Sequence, residues 1–276
     1  MKAQVFTKEN KYLMLALDHR GSFKRMINPE NPQEADKDEI IQMKHDIIAS
    51  VADQFSGTLI DPTYGLPAYK RVDNNQRPFL LSSEKSGYQE TEGGRKTEIK
   101  YSALQLKNLG ANGVKLLLYV NPFNEAFSDQ VEVGRKVLND AQENDMPLFL
   151  ELVTYEEEGQ DKADLIIKSL EMFLSESIKP DVFKLEYPGT AGSCRQISEL
   201  LGETPWILLT RGAKYDVFKE YLQIASTNGA DGFLAGRALW QEVFDFEDKE
   251  KQKEFLQDVL PKRFKEISEI VLSVEE

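Results

Sequence analysis

The feature that most restricts the fold is a repeated change of hydrophobic period. Short apolar runs suited to extended chain alternate, from one end to the other, with longer stretches that carry apolar residues at helical spacing. Eight candidate strands result: Tyr12–Leu17, Gly57–Ile60, Pro78–Leu81, Gly113–Val120, Pro147–Val153, Asp181–Tyr187, Pro205–Leu209 and Asp231–Ala235. Lys37–Gln54, Thr97–Leu109, Ser128–Glu143, Lys162–Leu174 and Tyr215–Thr227 are among the amphipathic segments between them. Eight strand–helix units predict one TIM (β/α)8 barrel spanning residues 1–276, with a charged helical tail from about Glu247 interrupted by Pro261. Phe264, Ile267, Ile270 and Val271 are spaced to pack one face of that tail on the barrel. A doubly wound open sheet is the competing arrangement, but it would lack the Gly-x-Gly-x-x-Gly fingerprint.

Charge and composition exclude some functions. A formal net charge of -13 opposes broad nucleic-acid binding, which depends on neutralising phosphates with Lys and Arg. A small anion remains possible, held by a few convergent basic groups and backbone N–H donors. The first eleven residues lack the apolar core of a signal peptide, and no apolar run approaches the ~18 residues needed to cross a bilayer. A cytoplasmic protein with no membrane partner is expected. The lone Cys194 rules out an intramolecular disulfide, and two histidines, His19 and His45, are too few for a zinc lyase built on several His ligands. No metal or cofactor is expected.

Active sites of such barrels lie at the C-terminal ends of the strands. There the sequence places Asp18, Asp61, Glu84, Lys115, Glu151 and Lys184. Lys115 should share its strand face with Leu117 and Tyr119, and Lys184 with Val182 and Glu186. Lys184, inside Val182-Phe183-Lys184-Leu185, is the candidate nucleophile, because a desolvated lysine amine can form a Schiff base with a carbonyl. Taken singly, each residue has a plainer reading: Lys184 snorkelling at a strand edge, Asp18 and Asp61 as caps or turn residues, Lys115 as an exposed charge. Together, charges within apolar runs on successive strands are costly unless they meet. Lys115 would then lower the proton affinity of Lys184, and Glu151 would move protons.

Strands seven and eight end in Thr210-Arg211-Gly212 and Ala235-Gly236-Arg237, where barrels commonly hold a phosphate. Arg237 adds a guanidinium fork suited to that anion. The alternative is that these glycines only make tight turns.

Leu15-Ala16-Leu17-Asp18-His19-Arg20-Gly21, Ser83-Glu84-Lys85-Ser86-Gly87-Tyr88, Val114-Lys115-Leu116-Leu117-Leu118-Tyr119, Phe149-Leu150-Glu151, Phe183-Lys184-Leu185-Glu186-Tyr187-Pro188 and Gly236-Arg237-Ala238 together resemble the class I, Schiff-base tagatose-bisphosphate aldolase family. The related sulfofructose-phosphate aldolases share the plan, and the compact segment between Pro188 and Pro205 looks closer to theirs. The resemblance implies a metal-independent aldolase that cleaves a phosphorylated ketose to dihydroxyacetone phosphate and an aldehyde. Lys184 would form the Schiff base and Glu151 would be the main acid/base, with Lys115 and Asp18 supporting it and Glu84 lining the pocket. Thr210, Gly212, Gly236 and Arg237 would hold the phosphate. A homo-oligomer is plausible for the family, although no stretch identifies an interface. His19 stands where the family usually has Gln, and Arg211 replaces a small residue in the phosphate turn, so recognition of the far end of the substrate is open. His19, Arg20, Arg95 and Lys96 are candidates there, the last two having the alternative reading of solvated loop charges. A sulfonated substrate with the same chemistry, or a catalytically silent sugar-phosphate-binding barrel, are the rival functions.

Overall fold

The computed structural model describes residues 2–72 and 77–274. Eight parallel strands close a barrel: β1 Tyr12–Leu17, β2 Gly57–Ile60, β3 Phe79–Ser82, β4 Gly113–Val120, β5 Leu148–Thr154, β6 Val182–Leu185, β7 Trp206–Leu209 and β8 Gly232–Ala235. Each strand pairs with its neighbours in sequence, and β8 returns to β1 with Ala235 opposite Leu15. The expected TIM barrel is therefore the fold.

Several expected strands begin one residue late, for a common reason. Pro78, Pro147 and Pro205 lack an N–H, so each stands just before its strand and offers only its carbonyl, which accepts from Thr58, Val114 and Phe183 respectively. The N–H of the next residue is taken by a side chain that precedes the following strand. Phe79 donates to Asn112 Oδ1 at 3.0 Å, Leu148 to Asp181 Oδ2 at 2.9 Å and Trp206 to Asp231 Oδ2 at 3.2 Å. Asp181 and Asp231 thus fasten the N-terminal end of the barrel from outside the strands to which they were assigned.

Alternation divides the core into two layers. On β4, Val114, Leu116, Leu118 and Val120 pack outward against the helices, whereas Lys115, Leu117 and Tyr119 line the interior, as expected. Below them the barrel is filled by Met14, Leu59, Leu80, Phe149, Val182, Ile207 and Leu234. A 3-10 turn over Lys2–Phe6, which the sequence reading passed over, closes this end by setting Phe6 edge-on to Phe149, with 5.2 Å between ring centroids. The charged side chains inside the barrel gather at the opposite mouth.

The tail is helical from Lys249 to Leu272, and Phe264, Ile267 and Val271 are buried while Ile270 is half-buried. Pro261 does not interrupt it. The turn Phe255–Val259 is a π-helix and Pro261 falls in the first turn after it. The segment Ser86–Lys96 contains a small antiparallel hairpin in which Gln89, Glu90 and Thr91 face Lys96, Arg95 and Gly94. Among the described residues no helix is long and apolar enough to cross a membrane.

Candidate active site

The strand register dictates which charged residues meet. Glu151 on β5 is the direct partner of Lys184 on β6, and Leu117 on β4 is the partner of Glu151. Lys115 lies two residues before Leu117, so it points to the same side one pleat lower. Glu151 Oε2 consequently sits 3.0 Å from Lys184 Nζ and 3.0 Å from Lys115 Nζ. Sequence reasoning brought the two lysines and several carboxylates to one place; the structure sets one carboxylate oxygen, Glu151 Oε2, against both lysines.

Lys115 is the hub. Its ammonium also meets Glu84 Oε1 at 2.8 Å and Asp18 Oδ2 at 3.1 Å. Glu84 Oε2 accepts the Leu117 N–H at 3.2 Å, and the Ser82 hydroxyl donates to Asp18 Oδ2 at 3.2 Å. The side chains of Lys115 and Lys184 are only 2% and 5% exposed, so these ion pairs form away from bulk water. Burial opposes the charge on Lys115, but Asp18, Glu151 and Glu84 outweigh it and hold its pKa well above the lysine range. Burial likewise opposes ionisation of Asp18 and Glu151, yet the Lys115 cation, joined by Lys184, keeps both below the ordinary carboxylate range. Glu84 differs. Burial dominates there and pushes its pKa up, with Lys115 only partly offsetting it.

These groups open into a cavity of about 770 Å³ at the C-terminal mouth. Of the sequence-predicted site residues, Asp18, His19, Arg20, Glu84, Lys115, Glu151, Lys184, Thr210, Gly236 and Arg237 all line it. Gly212 lies just behind, with φ +80° and a backbone so close to Arg237 that a Cβ would come 3.1 Å from Cζ of the guanidinium. Gly236 is equally constrained, since a Cβ there would stand 3.0 Å from both the Ala16 carbonyl and His19 Cε1. Arg20 donates to the Glu84 carbonyl at 3.0 Å. His19 packs edge-on against Trp240, 5.2 Å between centroids, and burial draws its pKa down to about 3 although Asp18 stands 3.9 Å away.

Nine Lys and Arg residues against three carboxylates line this cavity, in a chain of net charge -13. The rim bases went unnoticed in the sequence because Lys24 and Arg25 lie on the short helix Gly21–Ile27, too brief to show a period, and Lys85 and Lys100 lie in loops. A field of this sign, focused in a low-dielectric cleft, draws in an anion. Asp18, Glu84 and Glu151 converge on the Lys115 ammonium, and among the described residues no group of His, Cys, Asp and Glu is arranged to hold a metal ion. A second cavity of about 750 Å³, between the helix Lys37–Ser50 and the tail, is lined mainly by polar surface residues around Met43 and Leu256.

Several expectations need correction. Glu186 does not join Lys184 in the cavity, because β6 ends at Leu185 and the Glu186 carboxylate turns to Thr154, Lys162 and Arg211. Arg95 is sandwiched between Tyr88 and Tyr155, at 4.3 and 4.4 Å from the ring centroids, and Lys96 pairs with Asp129, so neither lines the cavity. Asp61 is a turn residue that accepts the N–H groups of Thr63, Tyr64 and Gly65. Its counter-ion, Lys44, was not foreseen. Fully buried, Lys44 Nζ donates to Asp61 at 2.5 Å and to the carbonyls of Leu17 and His19, on either side of Asp18, at 2.8 Å each. The signal was present, since Lys44 occupies a helical slot between Ile40, Ile41 and Ile47, Ile48, where a solvated lysine does not belong.

Residues 12–242 match the family model described as DeoC/LacD family aldolase. A tagatose 1,6-diphosphate aldolase of Staphylococcus epidermidis is 29% identical over 89% of this chain and 86% of its own length. Tagatose 1,6-diphosphate aldolase 2 of Streptococcus pyogenes is 29% identical over 93% and 88%. Among solved structures, a Schiff-base-forming fructose-1,6-bisphosphate aldolase superposes with a TM-score of 0.68 at 20% identity, covering 98% of both chains. The fructose-bisphosphate aldolase of Plasmodium falciparum gives 0.74 at 14% identity, covering 100% of this chain and 94% of its own. These structures share the barrel.

Proposed function

We propose that this chain, which belongs to the DeoC/LacD family of aldolases and is an aldehyde-lyase, is a class I enzyme that cleaves a phosphorylated ketose to dihydroxyacetone phosphate and an aldehyde through a Schiff base on Lys184. The observation that carries this reading is the buried Lys184 amine 3.0 Å from Glu151 Oε2. The names of the tagatose 1,6-diphosphate aldolase relatives support the substrate class. A small sugar phosphate in the cytoplasm, rather than a nucleic acid or membrane, is the partner this implies.

Glu151 takes the ammonium proton, which frees the Lys184 lone pair to attack the ketose carbonyl carbon. The same carboxyl then returns a proton to the carbinolamine hydroxyl, which leaves as water to give the iminium. For cleavage, the hydroxyl on the carbon beyond the scissile bond loses its proton to the carboxylate, the aldehyde departs, and the bonding electrons flow to the iminium nitrogen to leave an enamine. Protonation of the enamine and hydrolysis release dihydroxyacetone phosphate. Lys115 keeps Glu151 ionised between these transfers, and Asp18 and Glu84 hold Lys115 in place. Arg237 and the Thr210–Gly212 and Gly236 turns face the phosphate.

The test is an assay over tagatose and fructose 1,6-bisphosphates and a sulfonated ketose phosphate, in the presence of a chelator. Triose phosphate release that survives chelation and disappears in Lys184→Ala, while that variant still binds the phosphorylated ketose, supports the reading. A wild type that binds these ligands without cleaving any of them overturns it in favour of a silent binding barrel.

A further inference from the structure

Arg211 stands in the turn after β7 with φ +45°, a left-handed conformation that costs an arginine energy and that glycine adopts freely. Arg211 lines the cavity beside Thr210, yet its guanidinium is held by Glu186, which is not among the lining residues. Glu186 is buried, whereas the Arg211 side chain is 42% exposed and has room to turn.

The carboxylate does not depend on Arg211. Glu186 Oε2 accepts the N–H and hydroxyl of Thr154 at 2.7 and 2.9 Å, and Lys162 Nζ lies 3.3 Å from Oε1, the same oxygen that Arg211 contacts. Were Arg211 to leave, Lys162 would still neutralise Glu186, and no buried charge would be stranded. A strained backbone, an anion-fitting fork at the cavity and a rest site with a second cation together describe a movable ligand-binding arm.

We propose that Arg211 is a second guanidinium for the phosphate of the substrate, parked on Glu186 in the empty enzyme and transferred to the anion when it binds opposite Arg237. The choice of a phosphate rests on the aldolase reading; the anion site itself does not.

Calorimetric titration of the wild type, Arg211→Gln and Arg211→Gly with inorganic phosphate, with dihydroxyacetone phosphate and with dihydroxyacetone tests it, thermal melting reporting that each variant is folded. Charge-assisted hydrogen bonds of this kind predict about 10- to 100-fold weaker binding of both phosphates in both variants, with dihydroxyacetone unaffected. Variants that bind both phosphates as the wild type does overturn the proposal. Inorganic phosphate bound in an Arg211-dependent way without any binding of dihydroxyacetone phosphate keeps the arm and overturns the product assignment. A wild type that binds neither overturns both.

Discussion

Glu151 and Lys184 are hydrogen-bonding-register partners on adjacent strands, and their side chains meet at 3.0 Å inside the barrel. One carboxylate oxygen thereby serves both the amine that would form the covalent intermediate and the structural cation Lys115. Glu151→Gln keeps the shape and removes the proton carrier. It should lower kcat about 10²- to 10⁴-fold, the usual worth of a positioned acid/base, with KM changed only a few-fold. Steady-state kinetics decide this, and a loss under tenfold would remove Glu151 from the proton path.

Lys115→Met would leave Asp18 and Glu84 without the ammonium they share, and Glu151 with Lys184 alone. A loss of about 3–5 kcal/mol of stability at pH 7, read from urea denaturation, is expected. The pH dependence has a definite sign. Asp18 and Glu151 are held below their unfolded values, so the stability they contribute is present above about pH 4 and lost as pH falls further. The wild-type melting temperature should drop over that range, and the drop should shrink in Lys115→Met.

His19 is half-buried at the cavity wall, and desolvation draws its pKa down to about 3. Its NMR signals, assigned by loss in His19→Gln, should not titrate between pH 5 and 8. The unfolded chain takes up a proton on this residue as pH falls through about 6.5, where the folded chain refuses it, so stability is lost with acidification from there. A midpoint near 6.5 in the folded protein would contradict the packing against Trp240 described above.

Lys44 grips the carbonyls on either side of Asp18 and pairs with Asp61. Lys44→Met should cost about 3–5 kcal/mol by stranding Asp61, and adding Asp61→Asn should recover part of the loss because the two residues are coupled. Additive losses in urea denaturation would show that the pair does not act as a unit.

What the sequence disclosed follows from what burial costs. Lys115, Glu151 and Lys184 were legible because a charge inside an apolar strand must find a partner, and period-two alternation told which face it would take. Asp181 and Asp231 misled by one residue, since their side chains complete a neighbour's ladder from outside the strand. Glu186 misled because strand alternation was extended past Leu185, where β6 stops. The hairpin at Gln89–Lys96 is polar on both strands and offers no alternation to read. The role of Arg95 was misjudged for a related reason: its stacking partner Tyr155 is 60 residues distant, and only the fold brings them together.

The central claim is a covalent bond to Lys184. Incubating the protein with dihydroxyacetone phosphate and borohydride, then mapping peptides by mass spectrometry, tests it most directly. The account predicts a reduced adduct on the peptide bearing Lys184, absent from Lys184→Ala. A folded protein that gives no adduct while a known Schiff-base aldolase is trapped alongside it would contradict the account.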